Sequence, residues 1–241
     1  MNAKYVLITG SSRGLGLQIA IDLSYAGYSI ILTGRDKKSL KSAFSKLNPK
    51  LAHLIIRVDF IKKEFLKKIV KKIKNQKLYG VVHNYGLNIA HDTHPINIDI
   101  LNQSIYNNFI LSLKINEHFL RDESLQKIIY IGSTASLHAK ASPSYVISKG
   151  MINSYVKNVS HEYVKKGILI CAVLPGILAH EGSVWDTKKR LEPQKYNETK
   201  KRQALQRFAQ PSDISPYIVD IMNQKSLMLS GSILKLDANE Y

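Results

Sequence analysis

The chain has 241 residues, 44% of them hydrophobic, with 35 Lys and Arg against 18 Asp and Glu, a formal net charge of +17. That is enough apolar chain for one large α/β core, and a single cysteine excludes a disulfide scaffold or a cysteine-based zinc site, so no metal is expected. No apolar run reaches the roughly 18 residues of a membrane span, and no charged-then-apolar leader precedes the first apolar run, so a cytoplasmic protein without a membrane span is expected.

Short β-branched runs alternate with longer amphipathic segments: Tyr5 to Thr9, Ser29 to Thr33, Leu54 to Val58, Gly80 to His83, Ile128 to Ile131, Leu169 to Leu174 and Ser232 to Leu236. Runs apolar on both faces and separated by helical periodicity predict an α/β fold: a Rossmann-type doubly wound, seven-stranded parallel sheet with helices on both faces. No linker, repeat or low-complexity tract divides the chain, so residues 1–241 are expected to form a single domain. In such sheets ligands bind beyond the C-terminal strand ends, at the switch point.

The first run ends in Thr9-Gly10-Ser11-Ser12-Arg13-Gly14-Leu15-Gly16, and helical periodicity follows from Leu17 to Ala26. Glycines between a strand and a helix let the backbone approach a diphosphate and aim the helix N-terminus at its charge, so dinucleotide binding is expected over a plain structural turn. The second run ends in Thr33-Gly34-Arg35 with no acid at its tip. An acid there would bind a ribose 2′-hydroxyl, whereas Arg35 together with Arg13 suits a 2′-phosphate, which predicts NADP(H) over NAD(H). Asp36, one residue later, is expected to point elsewhere.

From Lys62 to Lys77, Phe65, Ile69, Val70 and Ile73 keep helical spacing while lysines fill the other face, which reads as a solvated helix face. Tyr145 and Lys149 stand four apart, on adjacent turns of one helix. A free phenol titrates at about 10, so a fixed ammonium beside it would ease its proton exchange near neutrality; an exposed helical pair is the alternative. Cys171 lies inside an apolar run and reads as a core thiol. A second basic cluster, Lys188-Lys189-Arg190 with Lys195 and Lys200-Lys201-Arg202, falls in the segment 177–208 together with Trp185 and Tyr196.

With the glycine turn and the Tyr-Lys pair both present, the sequence resembles the short-chain dehydrogenase/reductase family from Tyr5 to about Asp237. The glycine turn matches TGxxxGxG, His83-Asn84-Tyr85-Gly86 matches NNAG at its second and fourth positions, and Ile131-Gly132-Ser133 ends the fifth run where a catalytic serine is expected. The resemblance implies Asn108, Ser133, Tyr145 and Lys149 as the catalytic group, with adjacent Asn107 leaving the asparagine's register open. Ser133 would hold a substrate carbonyl, Tyr145 would protonate it, Lys149 would lower the Tyr145 pKa and bind the nicotinamide ribose, and Asn108 would position a water leading to Lys149. It implies cofactor contacts from Gly10, Ser12, Arg13, Gly14, Leu15, Gly16, Arg35, Asp59, Phe60, Asn84, Gly86, Pro175, Gly176 and Leu178 besides Tyr145 and Lys149. Asp59 would contact the adenine amine.

The sequence also departs from the family pattern. The segment Thr134 to Ser144 is one residue short, Tyr85 replaces an alanine, and Asp237-Ala238-Asn239 replaces a DGG-like signature. His180 stands where a threonine often binds the nicotinamide amide; a structural histidine and a ligand contact are equally expected.

Within the family the likeness is to 3-oxoacyl-acyl-carrier-protein reductases, through the Arg13-containing turn, Ile-Gly-Ser, Leu205-Gln206-Arg207-Phe208 before Pro211, and Ser230-Gly231. This implies a carbonyl substrate on an acidic acyl carrier protein, with Lys166, Lys127 and the basic cluster as docking cations, and residues 177–208 as the substrate loop. A specialised biosynthetic role is expected in place of the housekeeping one. The alternatives are a reductase of a free small ketone, sugar or polycyclic alcohol, and a non-catalytic dinucleotide-binding regulator. No nucleic-acid motif is present, so no specific nucleic-acid partner is expected. Pairing through the Tyr-Lys helix and the last strand, giving a homodimer or tetramer, is also implied.

Overall fold

The computed structural model describes residues 3–74, 76–89 and 92–239. Its strands are β1 (Tyr5–Ile8), β2 (Ser29–Gly34), β3 (Leu54–Arg57), β4 (Leu78–His83), β5 (Lys127–Ile131), β6 (Leu169–Pro175) and β7 (Ile233–Leu236). All seven lie in one parallel sheet of order β3-β2-β1-β4-β5-β6-β7. The expected strands are found, with ends shifted by no more than two residues.

The helices are α1 (Gly14–Tyr25), α2 (Lys37–Phe44), α3 (Phe65–Ile73), α4 (Ile98–Ile105), α5 (Leu111–Phe119), α6 (Ala135–His138), α7 (Pro143–Lys165), α8 (Val184–Leu191), α9 (Pro193–Arg202) and α10 (Pro211–Asn223). A π-helical turn, Tyr106–Ile110, joins α4 to α5.

Strand side chains alternate between two cores because successive Cβ atoms point to opposite faces. Tyr5 and Leu7 pack with Phe65 and Ile69 of α3, Ile115 of α5 and Ile152 and Val156 of α7. Val6 and Ile8 pack with Ile19 and Leu23 of α1, Leu40 of α2 and Ile218 of α10. The lysines of α3 stay exposed, as its spacing predicts. Cys171 is fully buried and burial pushes its thiol up to about 12, so it is inert core. Among the described residues no helix is long and apolar enough to cross a membrane.

Winding reverses between β1 and β4, which opens the switch-point crevice at their C-terminal ends. Thr9 N donates to Val82 O at 3.0 Å and Asn84 Nδ2 donates to Gly10 O at 3.0 Å, so the loops after β1 and β4 are tied together there.

Candidate active site

The glycine turn is built for close approach. Gly10 and Gly14 adopt φ of +66° and +58°, a region glycine enters without a Cβ penalty. A Cβ on Gly16 would lie 2.4 Å from both Asn84 Nδ2 and Gly10 O. Leu15 is buried beneath the turn, and the first turn of α1 carries no acid and no side-chain cap, leaving its N–H groups to meet an anion. These residues fit a dinucleotide diphosphate.

The corner at the end of β2 is cationic. Arg13 and Arg35 are both exposed there, and Ser12 faces Gly34, whose Cβ would sit 3.1 Å from the serine hydroxyl. Asp36 is committed elsewhere, since its Oδ2 accepts from Ser39 N at 2.6 Å and caps α2. Sequence reasoning missed Arg57. It pairs with Gly34 at the last register of β3 and its Nε donates to Arg35 O at 3.0 Å, placing a third guanidinium at this corner. Its signal was an arginine closing an apolar run beside Arg35.

Asp59 is half-buried, its Oδ1 accepting from Ile61 N at 3.2 Å. Phe60 is buried and packs at 4.6 Å against Tyr85, whose hydroxyl donates to Asn107 Oδ1 at 3.3 Å. The Tyr85 ring therefore turns between Phe60 and the π turn.

That turn gives the two asparagines different partners. Both Asn107 and Asn108 are buried, and Asn107 is spent on Tyr85 and on Gln103 O. Asn108 Oδ1 accepts from Leu87 N at 2.8 Å, and its Nδ2 donates to Leu87 O at 2.9 Å and Ser148 Oγ at 3.1 Å. A Cβ on Gly86 would lie 2.7 Å from Asn108 Oδ1 and 3.1 Å from Lys149 Nζ, so Gly86 is what lets these groups meet. Ser148 is a further residue the sequence did not mark.

Helix α7 carries the pair. Pro143 occupies its first turn, and Asp92 Oδ2 accepts from Ser144 N at 3.1 Å, putting a carboxylate from the β4–α4 loop on its N-terminus. Lys149 is 4% exposed, with Nζ donating to Ile131 O at 2.9 Å, and burial lowers its pKa to about 8. Lys149 Nζ stands 5.9 Å from the centre of the Tyr145 ring. Burial raises the Tyr145 pKa, and the Ser133 hydroxyl draws it back down. The Lys149 ammonium hydrogen-bonds at the end of β5, within reach of the ring by its charge. Ser133 Oγ also accepts from Ala135 N at 3.2 Å, at the start of α6, the short helix that takes up the shortened segment before Ser144.

On the far side, Thr134 N donates to Pro175 O at 3.1 Å and Gly176 N donates to Leu236 O at 3.0 Å. Leu178 forms a single bridge with Ala209. His180 lies against Gly14: a Cβ on that glycine would sit 2.6 Å from its Cε1.

One docking expectation is corrected, that for Lys127. Lys127 is 2% exposed and its Nζ donates to Gln224 O at 2.6 Å beyond the end of α10, so it is a structural lysine with its pKa lowered by burial. Lys166 is exposed but follows the C-terminus of α7, and at 1.5 Å per residue it stands roughly 25 Å along the helix from Lys149. Neither lies at the rim of the crevice. The other basic residues ride on α8 and α9, which have no buried residue and are pinned by Trp185, Tyr196 and Phe208, with Trp185 to Phe208 at 4.7 Å and Tyr196 to Phe208 at 5.0 Å. Among the described residues no cluster of metal-ligating side chains occurs.

The sequence pattern of the short chain dehydrogenase family matches residues 4–189. The chain belongs to that family. It is 22% identical over 250 residues to a Staphylococcus epidermidis 3-oxoacyl-acyl-carrier-protein reductase, covering 99% of each. It is 28% identical to the 2-dehydro-3-deoxy-D-gluconate 5-dehydrogenase of Bacillus subtilis, covering 98% of this chain and 94% of that one. Among solved structures it is similar to the L-sorbose reductase of Gluconobacter frateurii, complexed with NADPH and L-sorbose, with a TM-score of 0.89, 21% identity and coverage of 99% and 97%. The family makes the protein a nicotinamide-dinucleotide-dependent oxidoreductase.

Proposed function

We propose that this protein is an NADP(H)-dependent carbonyl reductase whose substrate is a 3-oxoacyl group carried on an acyl carrier protein. The observation that carries the reductase assignment is the meeting of Asn108, Gly86 and Lys149 beside Tyr145 and Ser133, at the same crevice as the glycine turn. The guanidiniums of Arg13, Arg35 and Arg57 at the end of β2 support a 2′-phosphate. The nicotinamide supplies the hydride when bound.

The rest is work for this chain's residues. Ser133 orients the carbonyl oxygen and Tyr145 gives it a proton. Lys149, charged below about pH 8, stabilises the phenolate left on Tyr145 and can return a proton to it. Asn108 fixes the polar path beside Lys149. The carrier-protein substrate rests on the similarity to the 3-oxoacyl reductases and on the basic α8–α9 hairpin, which suits an acidic partner.

NADPH oxidation measured with a 3-oxoacyl carrier protein and with the matching N-acetylcysteamine thioester tests this. A specificity constant at least tenfold higher for the carrier-bound substrate is expected. Equal constants would remove the carrier. A second reading, reduction of a free ketone or sugar, is favoured by the burial of Lys127 and the remoteness of Lys166; turnover of free polyhydroxy ketones in the same assay supports it.

A further inference from the structure

We propose that Asp92 is a positioning residue for Tyr145, its buried carboxylate fastening the loop between β4 and α4 to the first turn of α7. This rests on the reading of Tyr145 as the proton donor and adds a group that acts through it. Tyr145 is the third residue of α7, and the residues before it leave that turn without a cap of its own. Pro143 has no N–H to give. Ser142, at the position where a serine commonly caps, makes no capping bond and instead donates from Oγ to Asn88 Oδ1 at 3.1 Å. The first turn also carries no acid.

What the helix start lacks, the loop supplies. Asp92 is 6% exposed and Ser144 1%, and Oδ2 of the carboxylate accepts from both the backbone N–H and the hydroxyl of Ser144. Its charge thus lies against the positive end of a 23-residue helix. Among the described residues Asp92 Oδ1 has no hydrogen-bond partner, although burial makes an unmet carboxylate oxygen costly. A local serine cap would hold the helix end without that cost. A carboxylate reaching across 52 positions does what such a cap cannot, tying the helix start to the crevice loop. The loop is fixed in turn at its root, where Asn108 bonds both N and O of Leu87. Asp92 therefore sets where the first turn of α7 places the Tyr145 phenol, beside the Ser133 hydroxyl.

NADPH oxidation by Asp92→Ala, Asp92→Asn, Ser144→Ala and the double variant Asp92→Ala with Ser144→Ala tests the assignment, with calorimetric NADPH affinity measured beside it. The substrate is a 3-oxoacyl N-acetylcysteamine thioester or a free polyhydroxy ketone, whichever wild type turns over. Asp92→Ala is expected to lower kcat about tenfold, the loss of hydrogen bonds to a charged group, with KM and NADPH affinity within about twofold of wild type. Asp92→Asn, which keeps an acceptor for Ser144 N, is expected to recover part of the loss. The double variant is expected to be no slower than Asp92→Ala, since the two side chains act as one unit. Unchanged kcat in Asp92→Ala overturns the proposal. Comparable worsening of kcat, KM and NADPH affinity also overturns it, because Asp92 would then be a structural cap alone, and so do losses that add in the double variant. If Asp92→Ala does not fold, Asp92→Asn decides by the same split: kcat below wild type at unchanged KM supports the role, and wild-type kcat overturns it. A wild type that turns over neither substrate overturns the reductase reading itself, whereas an active wild type with an unaffected Asp92→Ala removes only this role.

Discussion

Lys149 is an ammonium held where water would serve it better. Burial moves its pKa from the ordinary 10.5 to about 8. The native state therefore binds fewer protons than the unfolded chain between pH 8 and 10.5, so this group's cost is full below pH 8 and fades as pH rises through that window. A shift of this size corresponds to about 3 kcal/mol, offset by roughly 1 kcal/mol for the Ile131 carbonyl that a replacement would leave unpaired. Lys149→Met is expected to be more stable than wild type by about 2 kcal/mol at pH 7, by urea unfolding, and no more stable at pH 10.5, while losing turnover. Lower stability at pH 7 would show that the ammonium is held for packing. Other residues could not be read from sequence because their roles depend on what folds over them. Lys127 begins a strand like any surface lysine, yet the carbonyl of Gln224 arrives beside it from nearly a hundred positions away. Arg57 acts through the backbone of Arg35, which no spacing encodes.

At the scale of elements, the strands were legible because buried parallel strands are apolar on both faces. The loops were less so. The shortened segment after Ser133 forms α6 and ends on Ala139 at φ +54°, and the DGG-like site holds Ala238 at φ +48°. An L side chain pays roughly 1 to 2 kcal/mol in that region, partly offset by the greater unfolded-state entropy of glycine. Ala139→Gly and Ala238→Gly are each expected to stabilise the fold by about 0.5 to 1 kcal/mol in thermal unfolding; a loss of stability from both would mean that the methyl groups contribute more by packing than the backbone loses. The register of the π turn was equally hidden, since Asn107 and Asn108 differ only in which partner, Tyr85 or Leu87 with Ser148, the extra turn brings to each.

Across the whole molecule, a polar thread runs through the core behind the site. His83 Nε2 lies 2.7 Å from Asn116 Oδ1, and Asn116 Nδ2 donates to Tyr130 at 2.8 Å. Burial lowers the His83 pKa from 6.5 to about 4. The unfolded chain then binds more protons between those values, so stability is full above pH 6.5 and falls as pH drops toward 4. The loss is expected to reach about 3 kcal/mol by pH 4 and to be smaller in His83→Asn, measured by urea unfolding at pH 7 and 4. An unchanged pH slope in that variant would assign the acid sensitivity to the carboxylates.

The fold, the glycine turn and the order Ser133, Tyr145, Lys149 are legible in the sequence, because each is a local pattern tied to a strand end. The direction of the Tyr145 pKa is not, because it depends on burial, and the structure raises it. Tyr145 as the proton donor is accordingly the claim on which the function turns. NADPH oxidation with a 3-oxoacyl substrate, followed for wild type and Tyr145→Phe alongside calorimetric NADPH affinity, tests it directly. A loss of roughly 10³-fold in kcat with NADPH binding nearly unchanged is the predicted result; a Tyr145→Phe enzyme that keeps most of its turnover would contradict it.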